Sequence, residues 1–195
     1  ILSEEVFIQN IDWLDFLKVR ASYGVTGNAD IGLNNYQTLV AFGAYNGHPN
    51  IQLEQLGNPG LTWEKANSFD IGVEFEAFSR IDASLTFFRK DSRDLLFDVP
   101  LSRTTGHTSQ IINGGKLYNQ GIEIQLAANI VSTRDFSWNL GGNLSLIKNE
   151  VTELPLDLNG DPIELTSATR YLGVEGYEVN AWYMREWAGV DPENG

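Results

Sequence analysis

Carboxylates, histidines and hydroxyls are plentiful in this chain, yet their spacing assembles no reaction centre. The 195 residues include two histidines and no cysteine, which removes disulfides, thiolate zinc ligands and cysteine nucleophiles. His48 and His107 fall in separate connections and read as solvated loop residues rather than a metal pair. Gly114-Gly115-Lys116-Leu117 lacks the Ser/Thr and the upstream glycine of a phosphate-binding loop, and no Gly-x-Ser-x-Gly elbow occurs. Asp157-Leu158-Asn159-Gly160-Asp161 opens like a calcium loop, with oxygen ligands at alternate positions. Pro162 stands where that loop needs Gly, however, and Ala168 where it needs a bidentate Glu, so a polar turn is the reading. Asp70, Glu74, Glu76, Asp82 and Glu123 form no acid/base pair, because a two-residue period spreads them along one wet face. Neither an enzyme nor a cofactor is expected.

The elements that carry these residues are long strands. From Leu17, period two sets Leu17, Val19, Ala21, Tyr23 and Val25 against Lys18, Arg20, Ser22, Gly24 and Thr26. Phe69, Ile71, Val73, Phe75 and Ala77 oppose Asp70, Gly72, Glu74 and Glu76 in a second strand beginning near Thr62-Trp63. A third, from Ile81, is expected to run as far as Phe97. The fourth carries Ile122, Ile124, Leu126 and Ala128, the fifth Trp138, Leu140, Gly142, Leu144 and Leu146, and a sixth is expected over 181–190. Their lengths suit a membrane crossing, which takes about 9 to 11 residues per tilted strand, better than the usual soluble strand of about 5 to 6.

Connections alternate in length. Short turns fall near 77–80, 129–135 and 191–195, and long connections cover 27–61, 100–115 and 151–180. Outer-membrane barrels place short turns on the periplasmic side and long loops outside. Trp63, Phe69, Phe78, Phe136, Trp138, Trp182 and Trp187 lie near expected strand ends, where half-wet aromatic rings favour a membrane boundary. The formal charge of −13 argues against nucleic acid. No apolar run is long enough for a membrane-spanning helix, and a mean hydropathy of −0.21 fits strands with one apolar and one wet face. Ile1-Leu2-Ser3-Glu4-Glu5 is no signal peptide, and the chain stops inside an apparent turn, so an internal piece of a longer protein is expected.

Five stretches then carry a family resemblance. Leu17-Lys18-Val19-Arg20-Ala21-Ser22-Tyr23-Gly24-Val25-Thr26-Gly27-Asn28 resembles the barrel signature of SusC/RagA-type TonB-dependent outer-membrane transporters of Bacteroidota. Asn58-Pro59-Gly60-Leu61-Thr62-Trp63-Glu64-Lys65, Asp94-Leu95-Leu96, Tyr118-Asn119-Gln120-Gly121-Ile122-Glu123 and Trp187-Ala188-Gly189-Val190-Asp191-Pro192 are similar to that family in the same order.

The resemblance implies an all-β fold, an antiparallel meander forming a segment of a transmembrane outer-membrane barrel of about 22 strands around a plug. Residues 1–16 would be an approach segment and 17–195 part of one barrel domain, about six strands without a plug domain. It implies import of large nutrients, glycans or peptides, powered through TonB and assisted by a SusD-like surface lipoprotein. Phe69, Ile71, Val73, Phe75, Ile122, Ile124 and Leu126 would then face outer-membrane lipid, while Asp70, Glu74, Glu76 and Glu123 line the lumen. Tyr36, Tyr45 and Tyr171 would be loop contacts for substrate. The competing reading is a soluble, secreted β-sandwich carbohydrate-binding module, whose apolar faces would pack on each other.

Overall fold

A computed structural model describes residues 1–5, 8, 11–29, 32, 34–157, 159–190 and 193. In chain order the strands are β1 (Leu14–Asn28), β2 (Leu39–Tyr45), β3 (His48–Gln55), β4 (Glu64–Ala77), β5 (Ile81–Arg93), β6 (Leu96–Pro100), β7 (Ser109–Asn113), β8 (Lys116–Ser132), β9 (Ser137–Glu153), β10 (Leu165–Thr166), β11 (Arg170–Gly173) and β12 (Ala181–Trp182). Five of them form one antiparallel sheet in the order β1-β4-β5-β8-β9. These five run 13 to 17 residues each, beyond the roughly 9 to 11 that a membrane crossing needs.

Register fixes the two faces. Ala21, Ile71, Phe87, Ile122 and Leu146 lie side by side across all five strands, and Val19, Val73, Leu85, Ile124 and Leu144 form the next row. Because side chains alternate strictly, a one-residue slip would send this whole set to the other face. The apolar face is bare: Ile71 is 40% exposed, Ile124 39% and Leu146 58%. A sandwich would cover it with a second sheet, and none lies on it among the described residues. The small buried core, Ala77, Val99, Val151, Leu154 and Val174, sits at the sheet ends rather than between layers.

At one end the strands are joined tightly. Residues 78–80 link β4 to β5, with Phe78 and Ser79 at φ 56° and 51°, and residues 133–136 link β8 to β9. The opposite end carries the long connections, and all three hold hairpins where sequence suggested plain loops, the last of them the short pair β10 and β11. β2 and β3 pair through a two-residue turn at Asn46 and Gly47 (φ 49° and 79°), and β6 pairs with β7.

Three further expectations are corrected. The third strand does not run through to Phe97: Asp94 takes φ 57°, the ladder breaks, and the chain restarts as β6. The first strand begins at Leu14, three residues earlier than expected. The sixth strand is reduced to Ala181–Trp182, paired with β11. Residues 183–190 form no ladder among the described residues, and a strand exists only where its N–H and C=O groups find partners. The turn expected at 191–195 lies outside the described residues apart from Glu193.

Candidate functional site

The second face of the sheet carries a polar ladder built by period two. Lys18 Nζ lies 3.1 Å from Glu74 Oε2 and Arg20 Nε lies 3.3 Å from Glu74 Oε1. Arg20 crosses Gly72 to donate to Thr86 Oγ1 at 2.8 Å. A Cβ at position 72 would sit 2.8 Å from Arg20 Nε, so a side chain there would displace the guanidinium from this path. Ser22 donates to Asp70 at 3.2 Å. Asp70, Glu74, Glu76 and Glu123 therefore share one face, as period two requires, with Asp70 and Glu74 half-buried and Glu76 and Glu123 exposed. Sequence reading placed Lys18 and Arg20 on this face without seeing that both converge on Glu74; only strand pairing brings them together. Glu76 stands directly opposite Asp82, a like-charge pair tolerable only where water screens it.

Phe69, Ile71, Ile122, Ile124 and Leu126 lie exposed on the apolar face, with Val73 and Phe75 half-buried beside them. Aromatic rings mark its turn end, where Trp13 stacks on Phe78 at 5.9 Å and Trp138 and Phe136 are 50% and 61% exposed. Trp182 does not belong to this rim. Trp182 instead lies under Arg170, 4.6 Å from the ring centre.

Side-chain amides knit the long connections together. Asn113 accepts from Thr62 N–H and donates to the carbonyls of Thr62 and Asp94. Asn58 donates to Ile111 O at 3.1 Å and Gln110 to Gly57 O at 2.8 Å. Between the two hairpins lies a cleft of about 450 Å³, lined by Glu54, Gln55, Asp98, His107, Gln110 and Ile111 among others. His107 Nε2 is buried without a hydrogen-bond partner among the described residues, and a polar atom left so is costly unless something supplies a partner.

The three candidate tyrosines are not brought together. Tyr45 stands 77% exposed at the tip of the β2–β3 hairpin and Tyr36 is 48% exposed in the turn before β2. Tyr171 lies elsewhere, stacked on Tyr183 at 4.6 Å and edge-on to Tyr177 at 4.8 Å. Burial, then the neighbouring tyrosines, pushes its phenol above the ordinary range. Tyr177 and Tyr183 were missed in sequence, where no spacing signals a three-ring cluster. Asp157 behaves as a turn residue: its carboxylate accepts from Asn159 N–H at 2.7 Å and Asp161 N–H at 3.0 Å, which holds it below the usual carboxylate range. Among the described residues no group of metal-ligating side chains forms.

Comparison with known proteins gives one result throughout. The family model for the TonB-dependent receptor-like β-barrel matches residues 10–191. A TonB-dependent receptor of Formosa agariphila is 39% identical over 187 residues, covering 91% of this chain and 19% of its own. The TonB-dependent receptor SusC of Bacteroides thetaiotaomicron is 28% identical over the whole of this chain and 21% of its own length. Among solved structures, the RagAB peptide importer in its open-open state superposes with a TM-score of 0.80 at 33% identity, covering 97% of this chain and 21% of that one. The chain thus spans about one fifth of the relatives it matches.

Proposed function

Because this chain belongs to the TonB-dependent receptor family, as a SusC/RagA-type segment of its β-barrel, we propose that it forms part of the wall and outer vestibule of an outer-membrane transporter for large nutrients. One observation carries this reading: five strands long enough to cross a bilayer present a bare apolar face on one side and a hydrogen-bonded polar ladder on the other. Phe69, Ile71, Val73, Phe75, Ile122, Ile124 and Leu126 then meet lipid, and Asp70, Glu74, Glu76 and Glu123 line the lumen. The short turns face the periplasm and the long connections face outward.

In this role the chain positions and admits substrate and performs no covalent step. Peptides or glycans are the cargo class; the cleft beside His107 offers hydrogen-bonding groups, and exposed Tyr45 offers a stacking face. Energy comes through TonB, and a SusD-like lipoprotein closes the outer end. Uptake by cells carrying the full-length protein tests the proposal, with fluorescent oligopeptides and oligosaccharides as probes. Uptake of one class that collapses when the proton gradient is dissipated is expected. Recovery of the full-length protein as a detergent-free soluble monomer would overturn the reading.

A further inference from the structure

On β5, β8 and β9 the apolar face ends toward the long connections, while β1 carries it two rows farther as Tyr23 and Val25. Past the row of Ile71, Phe87, Ile122 and Leu146, the next row on the same face is Phe69, Arg89, Gln120 and Lys148, followed by Asn67, Asp91, Tyr118 and Glu150, then Lys65, Arg93 and Lys116. Five of the chain's 13 Lys and Arg residues therefore stand in one patch: Lys65, Arg89, Arg93, Lys116 and Lys148. Near them on this end are four carboxylates, Asp91, Asp94, Glu150 and Glu153, while the whole chain carries twice as many acids as bases. Four of the five bases are each held by one of these carboxylates, in the pairs Lys65–Asp94, Arg89–Asp91, Lys116–Glu153 and Lys148–Glu150, so the patch carries one positive charge in excess within a chain of net charge −13.

The geometry of the patch leaves donors free. Arg89 bonds Asp91 through Nε and Nη2 and Gln120 through Nη1, so each terminal nitrogen keeps a second N–H. Lys148 reaches Glu150 at 2.9 Å, which occupies one of its three N–H groups. Both cations lie over the Tyr118 ring, at 4.5 and 5.9 Å from its centre, and Tyr118 in turn donates to Glu150 at 2.8 Å. The Arg93 guanidinium has no hydrogen-bond or ion-pair partner among the described residues.

We propose that this patch binds the phosphate-bearing lipid headgroups of the outer leaflet, with Arg89 and Lys148 as the principal contacts. This rests on the assignment of the apolar face to lipid. Two residues advance a strand by about 7 Å, and the headgroup zone is about 5–7 Å deep on each side of a bilayer. Arg89 and Lys148, one step past the last apolar row, therefore stand at headgroup depth. Lys65 and Lys116 stand farther out, held by Asp94 and Glu153, and Arg93 between them has the length to reach back toward the same anions. A protein partner for this patch would have to sit against the hydrocarbon edge; a lipid is already there.

The test uses the full-length protein in nanodiscs of phosphatidylcholine, with a fluorophore on a Leu146→Cys variant. Brominated phosphatidylcholine should quench it, and absence of any quenching would overturn the lipid assignment of the face itself. Brominated phosphatidic acid should compete for the site about fivefold better than brominated phosphatidylcholine, the size of effect expected for a basic side chain at an anionic surface. That preference should vanish in R89Q/K148Q and persist in K90Q, whose lysine lies on the opposite face. Quenching without preference in the parent, or a preference that survives R89Q/K148Q, would overturn the headgroup site while leaving the lipid-facing wall intact.

Discussion

Asp15 of β1 accepts two hydrogen bonds from Ser79, one from its backbone N–H and one from its hydroxyl. Ser79 needs this help. It and Phe78 hold positive φ without being glycine, a conformation that costs about 1 kcal/mol or more per residue. Phe78 is fixed in parallel, by its N–H to Trp13 O at 2.8 Å and by the ring stack on Trp13. The start of β1 thus clamps the β4–β5 turn across the sheet. D15A in the full-length protein should destabilise this end by about 1–2 kcal/mol, and S79A should cost less because the backbone bond survives. Thermal unfolding in detergent measures both; equal losses would contradict the clamp.

Ile124 and Gln125 are neighbours in β8 on opposite faces. With lipid against the apolar face, Ile124→Arg should cost about 2–4 kcal/mol near the bilayer midplane. Gln125→Arg should be nearly neutral, since it joins a wet row beside Ser84 and Asn143. Reversible unfolding in lipid vesicles gives both values. Equal penalties would remove the assignment of faces.

The main sheet was legible because one-sided burial writes period two into sequence, and Ile71, Leu85, Ile124 and Leu144 keep that period without interruption. The hairpin of β2 and β3 has a local signal too. Asn46-Gly47 between Val40, Phe42 and Ile51, Leu53 is the pattern of a two-residue turn with both residues at positive φ. Other features have no local signal. Nothing near Asp94 announces the break after β5, which depends on Lys65 at 2.9 Å and on Asn113. The basic patch emerges only when register sets Arg89 beside Gln120 and Lys148, residues far apart in the chain.

Asn113 ties three segments, through Thr62 N–H, Thr62 O and Asp94 O. Truncation by N113A removes all three bonds at once and should loosen the outer end without unfolding the wall. A local cost of about 1–2 kcal/mol is expected for partly exposed bonds. Hydrogen exchange at 94–113 should then speed up about tenfold, while amides in β8 and β9 between Ile122 and Leu146 stay protected. Uniform acceleration across the sheet would show that Asn113 supports the whole wall instead.

Asp157 gives the outer connection after β9 a pH dependence whose sign is fixed by its hydrogen bonds. Its carboxylate accepts from Asp161 N–H and Asn159 N–H, and these bonds hold its folded pKa below the unfolded value. A group with a depressed folded pKa stabilises the fold fully above its unfolded pKa, and that contribution fades as pH falls through the folded value. The bonds from Asn159 and Asp161 to this carboxylate should therefore hold at neutral pH and open in acid below the ordinary aspartate range. Amide exchange at Asn159 and Asp161, corrected for the intrinsic pH dependence of exchange, follows the opening. D157N keeps an acceptor oxygen but carries no charge, so it should flatten the acid response and leave a weaker turn at all pH values. An acid transition that persists unchanged in D157N would assign it to another group.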